Sequence, residues 1–136
     1  MNRVFVDTNI FIRYLTNDDP AKADRVEKLL SQAEAGTVSL VTTEMVIAEI
    51  VWVLESFYEL EPSAIAPLIR GILATSGLEV INASLVRGAL ELYEREGIDF
   101  VDGYIAAVME KQGMSELYSY DRKHISRIRQ ITRKEP

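Results

Sequence analysis

The sequence predicts a single α/β domain, an α/β/α sandwich with a mainly parallel central sheet of four or five strands. Short runs of β-branched and aromatic residues alternate with longer segments of helical period. Most helical segments are bounded by a capping residue or a glycine. Strands separated by helices need crossover connections, which pair the strands in parallel. No linker or repeat interrupts the pattern, so we expect one domain over residues 1–136.

Boundary residues mark the elements of the first half. Arg3–Val6 ends at Asp7 and predicts a buried strand. Asp19 followed by Pro20 is a typical helix start. The expected elements are a strand at Arg3–Val6, helices at Asn9–Leu15 and from Pro20 to Gly36, a strand at Val38–Val41, and a helix capped by Thr42 or Thr43 that runs to about Tyr58.

The second half continues the alternation of helix and strand. Gly77, Gly97 and Gly113 are expected to end helices. The expected elements are a helix from Pro62 to Gly77, a strand at Leu78–Ile81, helices at Ala83–Glu96 and from Asp99 to Gly113, a strand at Glu116–Tyr120, a turn or short helix at Arg122–Ser126, and a last strand at Arg129–Thr132.

The composition limits the available chemistry. Because the chain has no cysteine and one histidine, thiol catalysis, disulfides, cysteine zinc sites and two-imidazole mechanisms are excluded. There are 21 Asp and Glu against 15 Lys and Arg, a net charge of −6. Residues 122–136 carry +5, so residues 1–121 carry −11. Such an acidic body repels a polyanion unless its acids bind cations.

Two acids directly follow predicted strands. Asp7 ends the first strand and Asp121 the fourth, at the sheet edge where parallel α/β proteins bind ligands. A single acid at such a place is usually a helix cap. Two at the same edge favour a site modestly.

Two further acids lie among apolar helical neighbours. Glu49 has apolar residues at the i±3 and i±4 positions, and an ion pair with Arg13 or a tail arginine is the alternative to a site role. Asp102 follows the same pattern, with Gly103 leaving room for a close approach of backbone or ligand. Clustered carboxylates repel one another, and Mg²⁺ or Mn²⁺ would relieve that repulsion.

Four blocks, in order and spacing, resemble the PIN-domain family, in particular the stand-alone VapC-type toxins. The blocks are Val4–Asn9, the helical Glu49, Asp99–Ala107 and Ser119–Asp121, and they cover essentially the whole chain. The resemblance implies a metal-dependent ribonuclease with helices on both sides of a parallel sheet. It also implies a homodimer and an antitoxin protein as partner.

The resemblance assigns roles residue by residue. It implies that Asp7, Glu49, Asp102 and Asp121 are catalytic ligands of one or two Mg²⁺ or Mn²⁺ ions, with Asp99 as an accessory acid. Thr8, Asn9 and Ser119 fall on positions that support the acids. Gly103 stands where the family usually has alanine, and Ser119 replaces a threonine but keeps a hydroxyl; neither departure is expected to matter.

Two other classes of function stay open. One is a non-catalytic module of the same fold that binds RNA or a protein. The other is a phosphatase that forms a phospho-aspartate at Asp7, since Asp7-Thr8-Asn9 is similar to the Asp-x-Asp of haloacid dehalogenases; Asn9, however, cannot act as an acid or base. His124 lies in a charged segment and is expected to face solvent, which argues against a nucleophilic triad.

The basic tail and the apolar runs complete the expectations. Arg122, Lys123 and Arg127 are candidate contacts to RNA phosphates, with solvated ion pairs as the alternative. The apolar run Val46–Leu54 is compatible with a dimer surface or with core burial. No uncharged apolar stretch reaches about 18 residues, and no signal-like segment is visible at the start, so a cytoplasmic protein that does not enter membranes is expected.

Overall fold

The structure is a computed structural model that describes residues 2–136. Within those residues, six α-helices are interleaved with five strands and the strand pairs are parallel, which confirms the α/β class. The contacts divide the chain into two compact units, of which the first ends at Ala83 and the second is Ser84–Pro136. One domain over residues 1–136 stays a prediction.

The first unit has a three-stranded parallel sheet and four helices. Its elements are β1 (Arg3–Phe5), α1 (Thr8–Thr16), α2 (Pro20–Glu34), β2 (Ser39–Thr43), α3 (Glu44–Ser56), α4 (Pro62–Leu73) and β3 (Leu78–Ile81). The strand order is β1–β2–β3, with Leu40 opposite both Val4 and Leu78. The central strand β2 is the most deeply buried of the three.

Capping residues start the helices of this unit where the sequence predicts them. Asp7 caps α1, Asp19 caps α2, and the Thr43 hydroxyl caps α3. The core residues of α3 are Val46, Ile47, Ile50, Val51 and Leu54. Core burial therefore accounts for most of the apolar run Val46–Leu54, and Trp52 is the large apolar side chain of this run that stays exposed.

The second unit is built on two long helices and a small sheet. Its elements are α5 (Ala83–Glu96), α6 (Phe100–Gln112), β4 (Glu116–Tyr118), a short 3-10 helix (Ile125–Arg127) and β5 (Thr132–Lys134). Strands β4 and β5 pair in parallel. Ile125 and Ile128 are buried in one cluster with Ile98 and Ala106, which fixes the segment after β4 against the start of α6.

The strands differ from the sequence expectation in three ways. They form sheets of three and two strands, where the sequence predicted one central sheet. β1, one of the two edge strands of its sheet, is exposed rather than buried. β5 begins at Thr132 rather than Arg129, because burial of Ile128 and its carbonyl bond to the Ile131 N–H turn the chain first.

The helix that begins at Pro62 ends at Leu73 rather than at Gly77. Gly77 belongs to the following turn, where it has φ +81° and packs on α2. A Cβ at Gly77 would lie 2.2 Å from the Ala33 carbonyl oxygen, so glycine is required there. No helix within residues 2–136 combines the length and apolar character needed to cross a membrane.

Gly103 allows α6 to approach α5 closely. A Cβ at this position would lie 3.0 Å from the carbonyl oxygen of Ala89 and 3.3 Å from its Cα. Both are backbone atoms of a helix, which cannot rotate away as a flexible side chain does. The close approach expected beside Asp102 is therefore made by helix backbone.

We expect Gly103→Ala to destabilise the protein by about 1–3 kcal/mol, because the added methyl group forces the two helices apart. Chemical denaturation measures the free energy of unfolding. Gly71→Ala is the matched control, since Gly71 lies in α4 and nothing stands within 4 Å of the place that its methyl group would take. That control should be neutral or stabilising by up to about 1 kcal/mol. Equal stability of the Gly103 variant and the wild type would contradict the packing argument.

Candidate active site

Asp7 is held at the point where β1 passes into α1. The Val6 N–H donates to the Val41 carbonyl at 2.8 Å, and the buried Thr42 hydroxyl donates to the Val6 carbonyl at 2.9 Å. The Asp7 carboxylate then accepts the Thr8 N–H at 2.7 Å as the cap of α1. Asp7 is exposed, so it combines the capping role with access to a ligand.

Glu49 faces the same cleft as Asp7. This cleft of the first unit has a volume of about 370 Å³, and Thr8, Asn9 and Arg13 also line it. Glu49 is exposed rather than enclosed in an apolar face, because its neighbours Met45 and Trp52 are themselves 74% and 65% exposed. The neighbours are apolar as predicted, but of these only Val46 is buried.

The ion pair considered for Glu49 is not formed with Arg13. Arg13 pairs with Asp18 instead, at 3.4 Å. Within the part of the chain that the structure describes, Glu49 has no ion-pair partner. Its carboxylate therefore stays available to a cation.

Sequence reasoning missed three other residues that line this cleft, Asp18, Phe57 and Tyr58. The Tyr58 hydroxyl donates to the Asp18 carboxylate at 2.5 Å, and this bond is the main cause that holds the pKa of Asp18 below its ordinary value. Two aromatic residues directly after a helix were the available signal. Asp18 has no distinct signal in the sequence, because it directly precedes Asp19, the residue that caps α2.

Asp102 is half-buried in the first turn of α6. Its N–H donates to the carboxylate of Asp99, the N-cap, at 3.4 Å, so the expected capping role of Asp99 is present. Burial raises the pKa of Asp102, and the negative charges of Asp99 and Asp121 raise it further. A hydrogen bond between the Asp102 and Asp121 side chains acts in the same direction.

Asp121 has the opposite environment. Its carboxylate accepts the N–H groups of Lys123 at 2.9 Å and Ile125 at 3.4 Å. These backbone donors, Lys123 first, lower the pKa of Asp121. The Ser119 hydroxyl oxygen accepts the Asp121 N–H at 3.0 Å and so fixes the turn that presents the acid. A carboxylate that stays charged thus lies beside one that retains its proton more readily.

His124 was expected to face solvent, and this expectation is wrong. The imidazole is half-buried, and its Nδ1 accepts the N–H of Asp99 at 3.4 Å. Its charge also acts on Asp102, where it opposes the rise in pKa. The signal available in the sequence was its position three residues after Asp121, which the buried Ile125 brings against the start of α6.

The basic residues of the tail are partly paired within the second unit. Arg122 contacts Glu135 at 3.1 Å, and Arg133 contacts the same carboxylate at 2.7 Å. These two arginines, Arg133 first, lower the pKa of Glu135. Arg127 donates to the Glu96 carbonyl. Of the three candidate RNA contacts, Lys123 is exposed and its side chain has no ion pair within residues 2–136.

The four acids suit a hard divalent cation, because they supply oxygen ligands and lie in two pairs. Asp7 and Glu49 share one cleft of the first unit, and Asp102 and Asp121 are hydrogen-bonded in the second. Among residues 2–136, no group of three or more His, Asp or Glu side chains has the arrangement of a metal site. A carboxylate pair is nevertheless a normal ligand set for Mg²⁺, which keeps several waters and also binds substrate phosphate.

We expect Asp102 to titrate above an ordinary aspartate and Asp121 below one. Asp121→Asn removes a neighbouring negative charge and should lower the pKa of Asp102, although burial keeps part of the shift. The chemical shifts of the carboxyl carbons in a ¹³C NMR titration report both groups. Asp24→Asn, on the exposed face of α2, is the control and should leave Asp102 unchanged.

The two shifts also predict opposite effects of pH on stability. Because the folded-state pKa of Asp102 is raised, its contribution is fully present below the unfolded pKa and is lost as the pH rises through the folded pKa. The contribution of Asp121 is present above the unfolded pKa and is lost as the pH falls through its lowered folded pKa. An unchanged Asp102 titration in Asp121→Asn would contradict the coupling of the two acids.

These acids and their supporting elements fall within a match to a known family. The PIN domain family model matches residues 4–131, and the chain therefore belongs to the PIN-domain family.

Two solved structures are similar to the chain. The Mycobacterium tuberculosis toxin VapC20, described as a sarcin–ricin loop cleaving toxin, is 23% identical over 88% of this chain and 91% of that one, with a TM-score of 0.41. VapBC2 from Rickettsia felis, bound to a DNA fragment from their promoter, is 15% identical over 98% of both chains, with a TM-score of 0.37. No curated protein matches the chain.

Proposed function

We propose that the protein is a metal-dependent endoribonuclease that hydrolyses RNA phosphodiester bonds, and that it is the toxin of a VapBC-type toxin–antitoxin pair. The observation that carries the proposal is the family match over residues 4–131, within which every acid of the family's quartet is present in order. The proposed ligands are Asp7, Glu49, Asp102 and Asp121, with Asp99 as an accessory acid.

Two features of the side chains support this assignment. Glu49 lines the cleft beside Asp7 and, within residues 2–136, has no ion-pair partner there that would neutralise it. The raised pKa of Asp102 beside the lowered pKa of Asp121 is a separation typical of acids that serve a site.

The chain's own residues have distinct tasks in this proposal. One or two Mg²⁺ or Mn²⁺ ions, when bound, supply an acidified water and stabilise the charge of the attacked phosphate. Asp121 stays ionised because backbone N–H groups stabilise its charge. Because the pKa of Asp102 is raised, protons compete with a cation at Asp102 more than at an ordinary aspartate, so cation affinity should fall as the pH drops through that pKa. The Ser119 hydroxyl holds the turn that presents Asp121, and Thr8 and Asn9 line the cleft beside Asp7, where we propose that they support that acid.

We expect RNA cleavage with Mg²⁺ or Mn²⁺ and none with a chelator. Asp7→Asn and Asp102→Asn should each lower the rate by about 100-fold or more, because each removes a proposed ligand. Gel analysis of a labelled RNA measures the rate. Asp24→Asn removes an acid of the same type outside both acidic pairs and should cleave like the wild type. Undiminished cleavage by the first two variants would refute the assignment.

Fewer side chains of the basic tail are available to RNA phosphates than the sequence suggests. Lys123 is the best placed of the three candidates, since its ammonium group is exposed and unpaired within residues 2–136. Arg122 and Arg127 would have to exchange Glu135 and the Glu96 carbonyl for a phosphate. We propose Lys123 as a phosphate contact and the two arginines as secondary ones.

The proposal includes a homodimer, an antitoxin protein as partner, and a cytoplasmic location. The family resemblance is the basis for all three. The apolar run on α3, which was compatible with a dimer surface, adds little support, because core burial explains most of it. We expect light scattering after size exclusion to give twice the mass of the chain for the isolated protein. Co-expression with the protein encoded by a short neighbouring gene should abolish RNA cleavage. A monomer that keeps full activity would remove the dimer from the proposal and leave the nuclease.

One observation favours a second candidate, a PIN-like module that binds RNA or a protein without catalysis. No group of three acids among residues 2–136 has the arrangement of a metal site. Isothermal calorimetry separates the two functions, since a nuclease should bind Mn²⁺ at millimolar concentration and lose that binding in Asp7→Asn. A protein that binds RNA but no divalent ion would be the binding module.

A further inference from the structure

We propose that Phe57 is a stacking platform for an unpaired nucleobase of the RNA substrate, in the cleft that Asp7 and Glu49 also line. This inference rests on the proposed function and extends it, because it names a residue that selects single-stranded substrate. The cleft lies entirely within the first unit. Its volume of about 370 Å³ is at the lower end of the range for ligand pockets, which suits part of a nucleotide strand rather than a duplex.

The Phe57 ring is exposed but held in place. Phe57 follows the last residue of α3, its N–H donates to the Val53 carbonyl at 2.9 Å, and its side chain is 76% exposed. The Tyr58 ring packs edge-to-face against it, with 5.0 Å between the ring centroids and an interplanar angle of 71°. The remaining surface of the Phe57 ring is therefore open to a ligand.

Tyr58 is itself fixed by hydrogen bonding to a cluster of polar residues. Its hydroxyl donates to Asp18, which also accepts the Thr16 hydroxyl at 3.0 Å and contacts Arg13 at 3.4 Å. Contacts with Thr16 and Arg13 therefore hold the Asp18 carboxylate that accepts the Tyr58 hydroxyl. A ring supported in this way loses little conformational entropy when a flat ligand stacks on it.

Position within the cleft distinguishes Phe57 from other exposed side chains. Trp52 on the same helix is 65% exposed, but it does not line the cleft. An exposed aromatic residue on its own is ordinary. Phe57 differs because the same concave surface carries two proposed catalytic acids.

The net charge of the residues that line the cleft favours a base over a phosphate as the ligand of Phe57. Asp7, Asp18 and Glu49 carry three negative charges against the one positive charge of Arg13, which is already paired. A phosphate would be repelled there unless a cation accompanied it, whereas a nucleobase is uncharged and presents a π face. In a duplex both faces of a base are covered by its neighbours, so the site requires an unpaired base.

Fluorescence anisotropy tests the proposal directly. The probe is a labelled single-stranded oligouridylate of about ten nucleotides, with Ca²⁺ present so that binding is measured apart from cleavage. Phe57→Ala and Phe57→Leu should weaken binding by about 5- to 150-fold, the range that alanine substitution gives for base stacking. Phe57→Trp should restore affinity to near the wild-type value, because it keeps the aromatic face.

Two matched controls exclude other causes. Trp52→Ala removes an aromatic ring of similar exposure outside the cleft and should bind like the wild type. An oligomer of the same length with the ribose-phosphate backbone but no bases should bind wild type and Phe57→Ala equally. Circular dichroism and melting temperature confirm that each variant folds, which an exposed position permits.

The outcomes of these measurements separate this inference from the proposed function. Equal binding of oligouridylate by wild type, Phe57→Ala and Phe57→Leu overturns the stacking role, and so does equal loss in Trp52→Ala. If Asp7→Asn still abolishes cleavage in that case, the nuclease proposal stands without Phe57. If the wild type binds neither oligomer, the stacking role is overturned, and the cleavage assay with the wild type and Asp7→Asn decides the nuclease proposal by itself.

Discussion

The candidate site of the first unit depends on the hydrogen bonds that join Val6, the residue after β1, to strand β2. Val6 is bonded through both its N–H and its carbonyl, to the Val41 carbonyl and to the Thr42 hydroxyl. Thr42 is fully buried, so loss of its hydroxyl would leave the Val6 carbonyl without this partner. These bonds fix the direction of the chain after β1, so that Asp7 lies at the start of α1 and caps this helix. An edge strand with exposed side chains can position a carboxylate only because its end is fixed in this way.

In the second unit, the carboxyl groups of Asp102 and Asp121 lie near one another in different surroundings. Asp121 receives two backbone N–H donors that lower its pKa, whereas burial and the neighbouring charges of Asp99 and Asp121 raise the pKa of Asp102. The two carboxyl groups therefore differ in how readily each takes up a proton. Gly103 contributes by letting α6 lie close to α5, which fixes the helix turn that carries Asp102.

Local signals in the sequence predict local structure well, and they fail where distant residues meet. Asp19, Thr43 and Asp99 cap the predicted helices because a cap acts over three residues. The apolar neighbours of Glu49 were predicted, but their exposure was not, because every face of α3 is apolar and the tertiary packing selects which one is buried. The bond between Tyr58 and Asp18 spans 40 positions and has no local signature.

The composition of the chain is acidic, which on its own is unsuited to binding a polyanion. It is consistent with RNA binding if phosphates contact positive groups and a base contacts an uncharged ring. Phosphates would be met by the Lys123 ammonium and by cations held on the acids, both of which depend on ionic strength and on pH. A base stacked on Phe57 depends on neither, because the contact is between uncharged rings. The segment 1–121 carries −11, so a neutral contact within it gives affinity that charge alone would oppose. If the proposed activity on RNA is right, an acidic chain therefore has a physical reason to place an aromatic ring in the same cleft as its carboxylates.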